Sequence, residues 1–134
     1  MYIKDNVSLH EYNMHNYIYK NLSGLINMPK IVKYDRKTNK LYMQQIGGLS
    51  VADFYGEDIG SVPERVIAEI RIIIAILKDH HIVYPDITGY NFIQDSKEKI
   101  WIIDFEHCYF DYGAGDEFVN RFIEGADEWN PDFE

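Results

Sequence analysis

Three oxygen-bearing side chains stand at short intervals within residues 84–104 (Y-P-D-I-T-G-Y-N-F-I-Q-D-S-K-E-K-I-W-I-I-D): Asp86, Asn91 and Asp104. Residues 92–94 and 100–103 are β-branched or aromatic in character, and the Asp95-Ser96-Lys97-Glu98-Lys99 stretch between them is polar and turn-like. That pattern predicts a β-hairpin. Pairing Phe92 with Ile103 and Asp95 with Ile100 places the turn at residues 96–99. Asn91 then precedes the first strand and Asp104 follows the second, so the open end of an antiparallel hairpin brings them side by side. A carboxamide oxygen and a carboxylate are hard donors of the kind that suits Mg²⁺. Asp86, on the loop leading into the same end, brings a third oxygen-bearing side chain to that edge of the sheet.

The elements that must position this group follow from the rest of the chain. Residues 1–4 form a short strand. Ser8-Leu9-His10-Glu11 has the form of a capping box, so a helix is expected over residues 9–22, stopped by Ser23-Gly24. Glu11, His15, Ile18 and Leu22 share one stripe of that helix. Glu11 either points inward with that stripe or closes its own capping box. Residues 29–34 and 40–46 read as two strands around the turn at residues 35–39, and Gly47-Gly48 breaks the second. Residues 49–60 are a mixed loop with a short helix at 50–55. Ser61-Val62-Pro63-Glu64 is a second capping box opening the strongest helix, residues 62–79, whose Ile72-to-Leu77 run is apolar on all faces and is expected to be buried throughout. Residues 105–110 are extended, and residues 116–124 form a last helix stopped by Gly125.

Composition bounds the function. The length of 134 residues suits one domain, and a hydrophobic content of 46% supplies a core. The single cysteine, Cys108, allows no internal disulfide and fits a reducing compartment. With no transmembrane-length apolar run and no signal-like N-terminus, a cytoplasmic protein with no membrane partner is expected. Residues 1–103 carry 12 acids and 12 bases, whereas residues 104–134 carry ten acids and only Arg121. The acidic end reads as a solvated tail or as a surface for a basic partner. No basic stripe with interleaved aromatics supports nucleic-acid binding. His80, His81, His107 and Cys108 lack zinc-ligand spacing and read as helix-end and core residues, with Glu106-His107 near Asp104 a minor metal alternative.

At Asp86, Asn91 and Asp104 the chain resembles the protein kinase superfamily. Y-P-D-I-T-G-Y-N stands where that family has H-R-D-x-x-x-x-N, and I-I-D-F-E stands where its strand runs into D-F-G. The form is similar to the minimal atypical kinases of the RIO and Bud32 type and to short kinase-like proteins of large DNA viruses. The resemblance implies an α+β, truncated kinase-like fold in a single domain of residues 1–134. Residues 1–46 would be a reduced N-lobe of a helix and a β-hairpin, residues 47–60 a hinge and linker, residues 61–125 a reduced helical C-lobe carrying the catalytic-loop hairpin, and residues 126–134 an acidic tail.

The resemblance also implies roles. Asp86 would orient or accept the proton of an attacking hydroxyl, while Asn91 and Asp104 would hold Mg²⁺ against the phosphates of ATP. Lys4 matches the strand lysine of V-A-I-K and Glu11 the helix glutamate, at a compressed spacing. Residues 44–48, Gln44 and Ile46 among them, would grip adenine through the backbone. The chain departs from the family pattern in several places. No Gly-rich loop precedes Lys4, Tyr84 and Pro85 replace the catalytic-loop His-Arg, Glu106 replaces the D-F-G glycine, and there is no A-P-E motif. The expected function is an ATP- and Mg²⁺-dependent atypical serine/threonine protein kinase. A pseudokinase acting as a protein-binding module and a small-molecule kinase are the alternatives. Aromatic surface that a full C-lobe would cover predicts a homodimer or a protein partner.

Overall fold

The computed structural model describes residues 1–133. In chain order the elements are β1 (Tyr2–Lys4), α1 (Leu9–Leu22), β2 (Ile31–Asp35), β3 (Lys40–Met43), β4 (Leu49–Ser50), α2 (Val51–Tyr55), a 3₁₀ turn (Ile59–Ser61), α3 (Glu64–Asp79), β5 (Ile82–Val83), β6 (Phe92–Gln94), β7 (Ile100–Ile102), β8 (Tyr109–Phe110) and α4 (Glu117–Glu124). The fold is α+β, with small antiparallel sheets ordered β1-β3-β2, β4-β6-β7 and β5-β8. No helix among the described residues is long and apolar enough to cross a membrane.

Two cores divide the molecule. Val7, Leu41 and Met43 form a small one under the first sheet, closed by Tyr12, Ile31 and Tyr34. The larger core is built on α3, whose Val66, Ile67, Ile70, Ile73, Ile74 and Leu77 are buried. Met14, Ile18 and Leu22 of α1 enter this second core, as do Phe92, Ile100 and Ile102 of the hairpin. The helix α1 therefore belongs by sequence to the N-terminal part and by packing to the rest.

The hairpin register is one residue away from the expected pairing. Phe92 faces Ile102, Ile93 faces Trp101 and Gln94 faces Ile100. The cause is Asp95. Its carboxylate accepts the N–H groups of Lys97 (2.8 Å) and Lys99 (2.9 Å) and the Trp101 indole N–H (2.9 Å), and its own N–H donates to Lys99 O at 3.0 Å. This side-chain-built turn pairs Asp95 with Lys99 and leaves Glu98 at φ 64°.

The second capping box does not form. Ser61 ends the 3₁₀ turn and its hydroxyl donates to Asp58 O, while α3 starts only after Pro63, without a side-chain cap. A residue before proline is pushed out of the α region, and Val62 is accordingly extended at φ −88°, ψ 129°. Nor is the apolar run of α3 buried on all sides, because Ile72 is 59% exposed. In contrast, Ser8 caps α1 as expected by accepting the Glu11 N–H, and Gly125 ends α4 as expected at φ 121°, while Asp116 stands just before α4 as its cap and accepts the Val119 N–H.

Residues 126–133 do not form a solvated tail. Trp129 and Asn130 are buried, and Asp127 Oδ1 lies 2.6 Å from Arg71 Nη2. Negative charge describes the exposed members of this segment, while one aromatic and one amide anchor it.

Residues 44–48 connect the two parts. Gly48 has φ +142°, and a Cβ there would collide with the backbone carbonyl of Gln94. Only glycine lets the linker pass this close to β6. Replacing Gly48 with alanine is expected to lower stability by about 1–3 kcal/mol. Urea unfolding checks this, and an unchanged midpoint contradicts it.

Candidate functional site

The open end of the hairpin is closed by one backbone bond, from Ile103 N to Asn91 O at 3.0 Å. Asn91 is thus opposite Ile103, and Asp104 lies one residue beyond. Asp104 takes a left-handed conformation, φ 64°, which aspartate tolerates better than most side chains. Its Oδ1 accepts the Glu106 N–H at 3.2 Å and lies 3.3 Å from Lys4 Nζ.

The loop before the hairpin is held by its own polar groups. The buried Asn91 donates from Nδ2 to Asp86 O at 2.8 Å, and Thr88 N donates to the same carbonyl at 3.1 Å. Tyr84, which stands in place of the catalytic-loop histidine, packs its ring against Phe92 and Phe105 and donates its hydroxyl to Ile103 O at 2.6 Å. One buried phenol therefore joins the Asp86 loop to the strand that carries Asp104.

Glu11 points inward. Although Ser8 caps the helix, the Glu11 side chain does not close a capping box. It is 3% exposed, and its Oε2 accepts from Lys4 Nζ at 2.7 Å. Pairing of Lys4 with Leu41 in the first sheet delivers the ammonium there. One turn further along α1, His15 donates from Nε2 to Pro29 O at 2.8 Å and sets its ring 4.6 Å from that of Phe105. The helix that carries Glu11 thus touches the segment that carries Asp104.

The charges respond to this crowding. Burial pulls the Lys4 ammonium down, but its bond to Glu11 and the nearby charge of Asp104 outweigh burial and hold its pKa above the ordinary value. Burial pushes Glu11 up by more than Lys4 offsets, with Asp104 and Glu106 adding to the rise. The two partners differ because the Glu11 side chain is the deeper, 4% exposed against 26% for Lys4. Burial also raises Asp86, a contact with His107 lowers it, and the charge of Asp104 raises it again.

A cleft of about 450 Å³ runs between the two parts, and Lys4, Glu11, Gln44, Ile46, Asn91 and Asp104 all line it. Gln44 fixes the start of the linker: its N–H donates to Lys30 O (2.8 Å) and its Oε1 accepts the Lys30 N–H (3.2 Å). Asp86 is not on the lining and joins the group through Asn91. Glu11, Asp104 and Glu106 offer carboxylate oxygens within 4.8 Å of one another. With the Asn91 amide on the same cleft, this all-oxygen donor set fits a hard divalent cation such as Mg²⁺.

Two site neighbours have contacts with the Asp86 loop that the sequence does not reveal. His107, read there as a core residue, is half-exposed and places Nδ1 3.3 Å from Asp86 Oδ2. Asn130 donates from Nδ2 to Pro85 O at 2.7 Å. His107 could have been suspected from its place two residues after Phe105, whereas Asn130 sits in an acidic stretch without periodicity. Cys108 is buried and its thiol is pushed up to about 12, so it is unreactive.

Comparison with known proteins bears on the family and the fold. The family model described as the RIO domain matches residues 7–114. Of the solved structures, 294 chains match. One of them, a crystal structure of WbdD, superposes with a TM-score of 0.64 at 15% identity over 84% of this chain. The chain spans only 26% of that protein, and at this identity the likeness shows the fold alone. No curated protein matches the sequence.

His15 generates a pH prediction. Burial, with the charge of Lys4 adding to it, lowers its pKa from 6.5 to about 4, so the folded protein holds it neutral while the unfolded chain protonates it. The stability it contributes is fully present above pH 6.5 and is lost as pH falls from 6.5 towards about 4. The loss amounts to roughly 3 kcal/mol. Glu11 and Asp86, whose values are raised, act in the opposite sense. Replacing His15 with Gln, whose amide can still donate to Pro29, is expected to flatten the acid limb of stability against pH. An acid limb of unchanged slope contradicts this.

Proposed function

The chain belongs to the RIO domain family, a family of atypical kinases, and on that footing we propose that it is an ATP- and Mg²⁺-dependent phosphotransferase acting on a protein hydroxyl. The observation that carries the proposal is the gathering of Lys4, Glu11, Asn91 and Asp104 on one cleft beside the 44–48 linker.

In this reading ATP enters the cleft with its adenine against residues 44–46. Glu11 holds the Lys4 ammonium in place, and Lys4 neutralises phosphate oxygens. Asn91 and Asp104 would hold the cation, with Glu106 near; such an ion supplies charge neutralisation at the β- and γ-phosphates. Asp86 orients the acceptor hydroxyl. As the acceptor oxygen bonds to the γ-phosphorus, the bond from phosphorus to the β,γ-bridging oxygen breaks, the hydroxyl proton passes to Asp86 and ADP leaves. An aspartate whose pKa is raised by burial is a better proton acceptor than a solvated one. The ten acids against one arginine in residues 104–134 favour an acceptor of basic character.

One observation favours a second reading. Glu106 adds a third carboxylate beside Glu11 and Asp104, which crowds the place where phosphates would sit. A kinase-like module that binds a partner without catalysis fits that feature.

Two measurements separate the readings. ATP with Mg²⁺ at millimolar levels is expected to raise the melting temperature, and labelled ATP is expected to transfer phosphate to the protein itself or to a basic peptide. Asp86→Asn should cut transfer by about 100-fold or more while preserving the thermal shift. Lys4→Met should diminish both. Transfer unchanged in Asp86→Asn removes Asp86 from the mechanism. No transfer by the wild-type protein favours the binding module, and no thermal shift means that the cleft is not a nucleotide site.

A further inference from the structure

Residues 126–133 lie outside the region matched by the family model, yet they reach the catalytic loop. Asn130 is 3% exposed. Its Nδ2 donates to Pro85 O at 2.7 Å and its backbone N–H donates to Ile87 O at 2.9 Å, so one residue holds the carbonyls on both sides of Asp86. Its own Oδ1 accepts the Asp132 N–H at 3.1 Å, and its backbone carbonyl accepts the Phe133 N–H at 3.1 Å.

The segment is fixed independently of these bonds. The Trp129 indole N–H donates to Glu57 O at 3.1 Å, and Arg71 binds the carbonyls of Phe122, Gly125 and Ala126 together with the Asp127 carboxylate. Further on, the Phe133 ring lies 5.0 Å from the ring of His107, whose Nδ1 faces Asp86 Oδ2. The C-terminal segment thus meets Asp86 twice, through its backbone at Asn130 and towards its carboxylate through Phe133 and His107.

We propose that Asn130 is a positioning residue for Asp86, and that residues 126–133 serve as a strap setting where the Asp86 carboxylate stands. The proposal rests on the phosphotransferase reading above. The loop's own bonds from Asn91 and Thr88 go to the Asp86 carbonyl, not to those on either side: Pro85 lacks an N–H, and within the loop its carbonyl accepts only the Ile87 N–H of a tight turn (2.8 Å). Because a misplacement of about 1 Å can reduce turnover about 100-fold, a buried amide holding both flanking carbonyls has a direct effect on the chemical step. Asn130 itself does not line the nucleotide cleft and meets it only through the Asp86–Asn91 bond.

The test measures phosphate transfer from labelled ATP and melting temperature for Asn130→Ala and Asn130→Ser. Serine keeps the backbone bond to Ile87 and suits the turn at Asp132, so it retains the fold if alanine does not. The expected result is a fall in kcat of about tenfold or more, with the KM for ATP within about twofold of wild type. A kcat within about twofold of wild type in Asn130→Ser, when Asp86→Asn abolishes transfer, overturns the positioning role. Parallel losses in melting temperature, kcat and ATP affinity overturn it also, by assigning Asn130 to the fold alone. Transfer that survives Asp86→Asn overturns the phosphotransferase reading, and this proposal with it.

Discussion

Keeping like charges close together is the constraint on which the rest of this structure depends. Glu11, Asp104 and Glu106 stand within 4.8 Å of one another, and Lys4 faces the first two. Two unit charges about 4 Å apart near a protein surface interact by roughly 4 kcal/mol, so the acids repel strongly unless a cation or a proton intervenes. Burial is the main reason that Glu11 and Asp86 are raised, and the charge of Asp104 adds to both, while the bond to Glu11 and the charge of Asp104 hold Lys4 above its ordinary value. A site of this kind does not assemble by itself. The two hydrophobic cores must force it together, and the phosphates and cation of a nucleotide are the chemistry that would balance it.

The means of assembly are few. A three-residue strand carries Lys4, and a helix rooted in the larger core carries Glu11. Asp104 follows a hairpin whose end is tied by the Ile103–Asn91 backbone bond and the Tyr84 hydroxyl. The His15–Phe105 contact joins the helix to the Asp104 segment, so movement of α1 and of Asp104 would be felt together. Tyr84 shows how the departure from the family's histidine is accommodated: a longer side chain makes the loop-to-strand bond while its ring fills core space beside Phe92 and Phe105.

Much of this was legible in the residues. β-branched and aromatic residues around a polar turn located the hairpin, Ser8 located α1, and the Asp86, Asn91 and Asp104 intervals pointed to the kinase-like fold. The failures have physical causes. The turn register was missed because the Asp95 side chain builds it, and periodicity does not register side-chain-to-backbone bonds. The start of α3 was misplaced because Ser61-x-x-Glu64 was weighed without the proline inside it. The C-terminal segment was misread because acidic composition speaks for solvent, whereas Trp129 and Asn130 decide where that segment lies. Glu11 was left between capping and burial because both use the same position on the helix, and only the tertiary placement of Lys4 separates them.

The central claim is that Asn91, Asp104 and Lys4 together form a nucleotide-phosphate and cation site. A crystal structure with a non-hydrolysable ATP analogue and Mn²⁺ tests it most directly. The account predicts an anomalous peak coordinated by Asn91 Oδ1 and an Asp104 carboxylate oxygen, with Lys4 Nζ in contact with a phosphate oxygen and still paired with Glu11. Analogue and metal bound elsewhere, or a cleft free of density at saturating ligand, would contradict it.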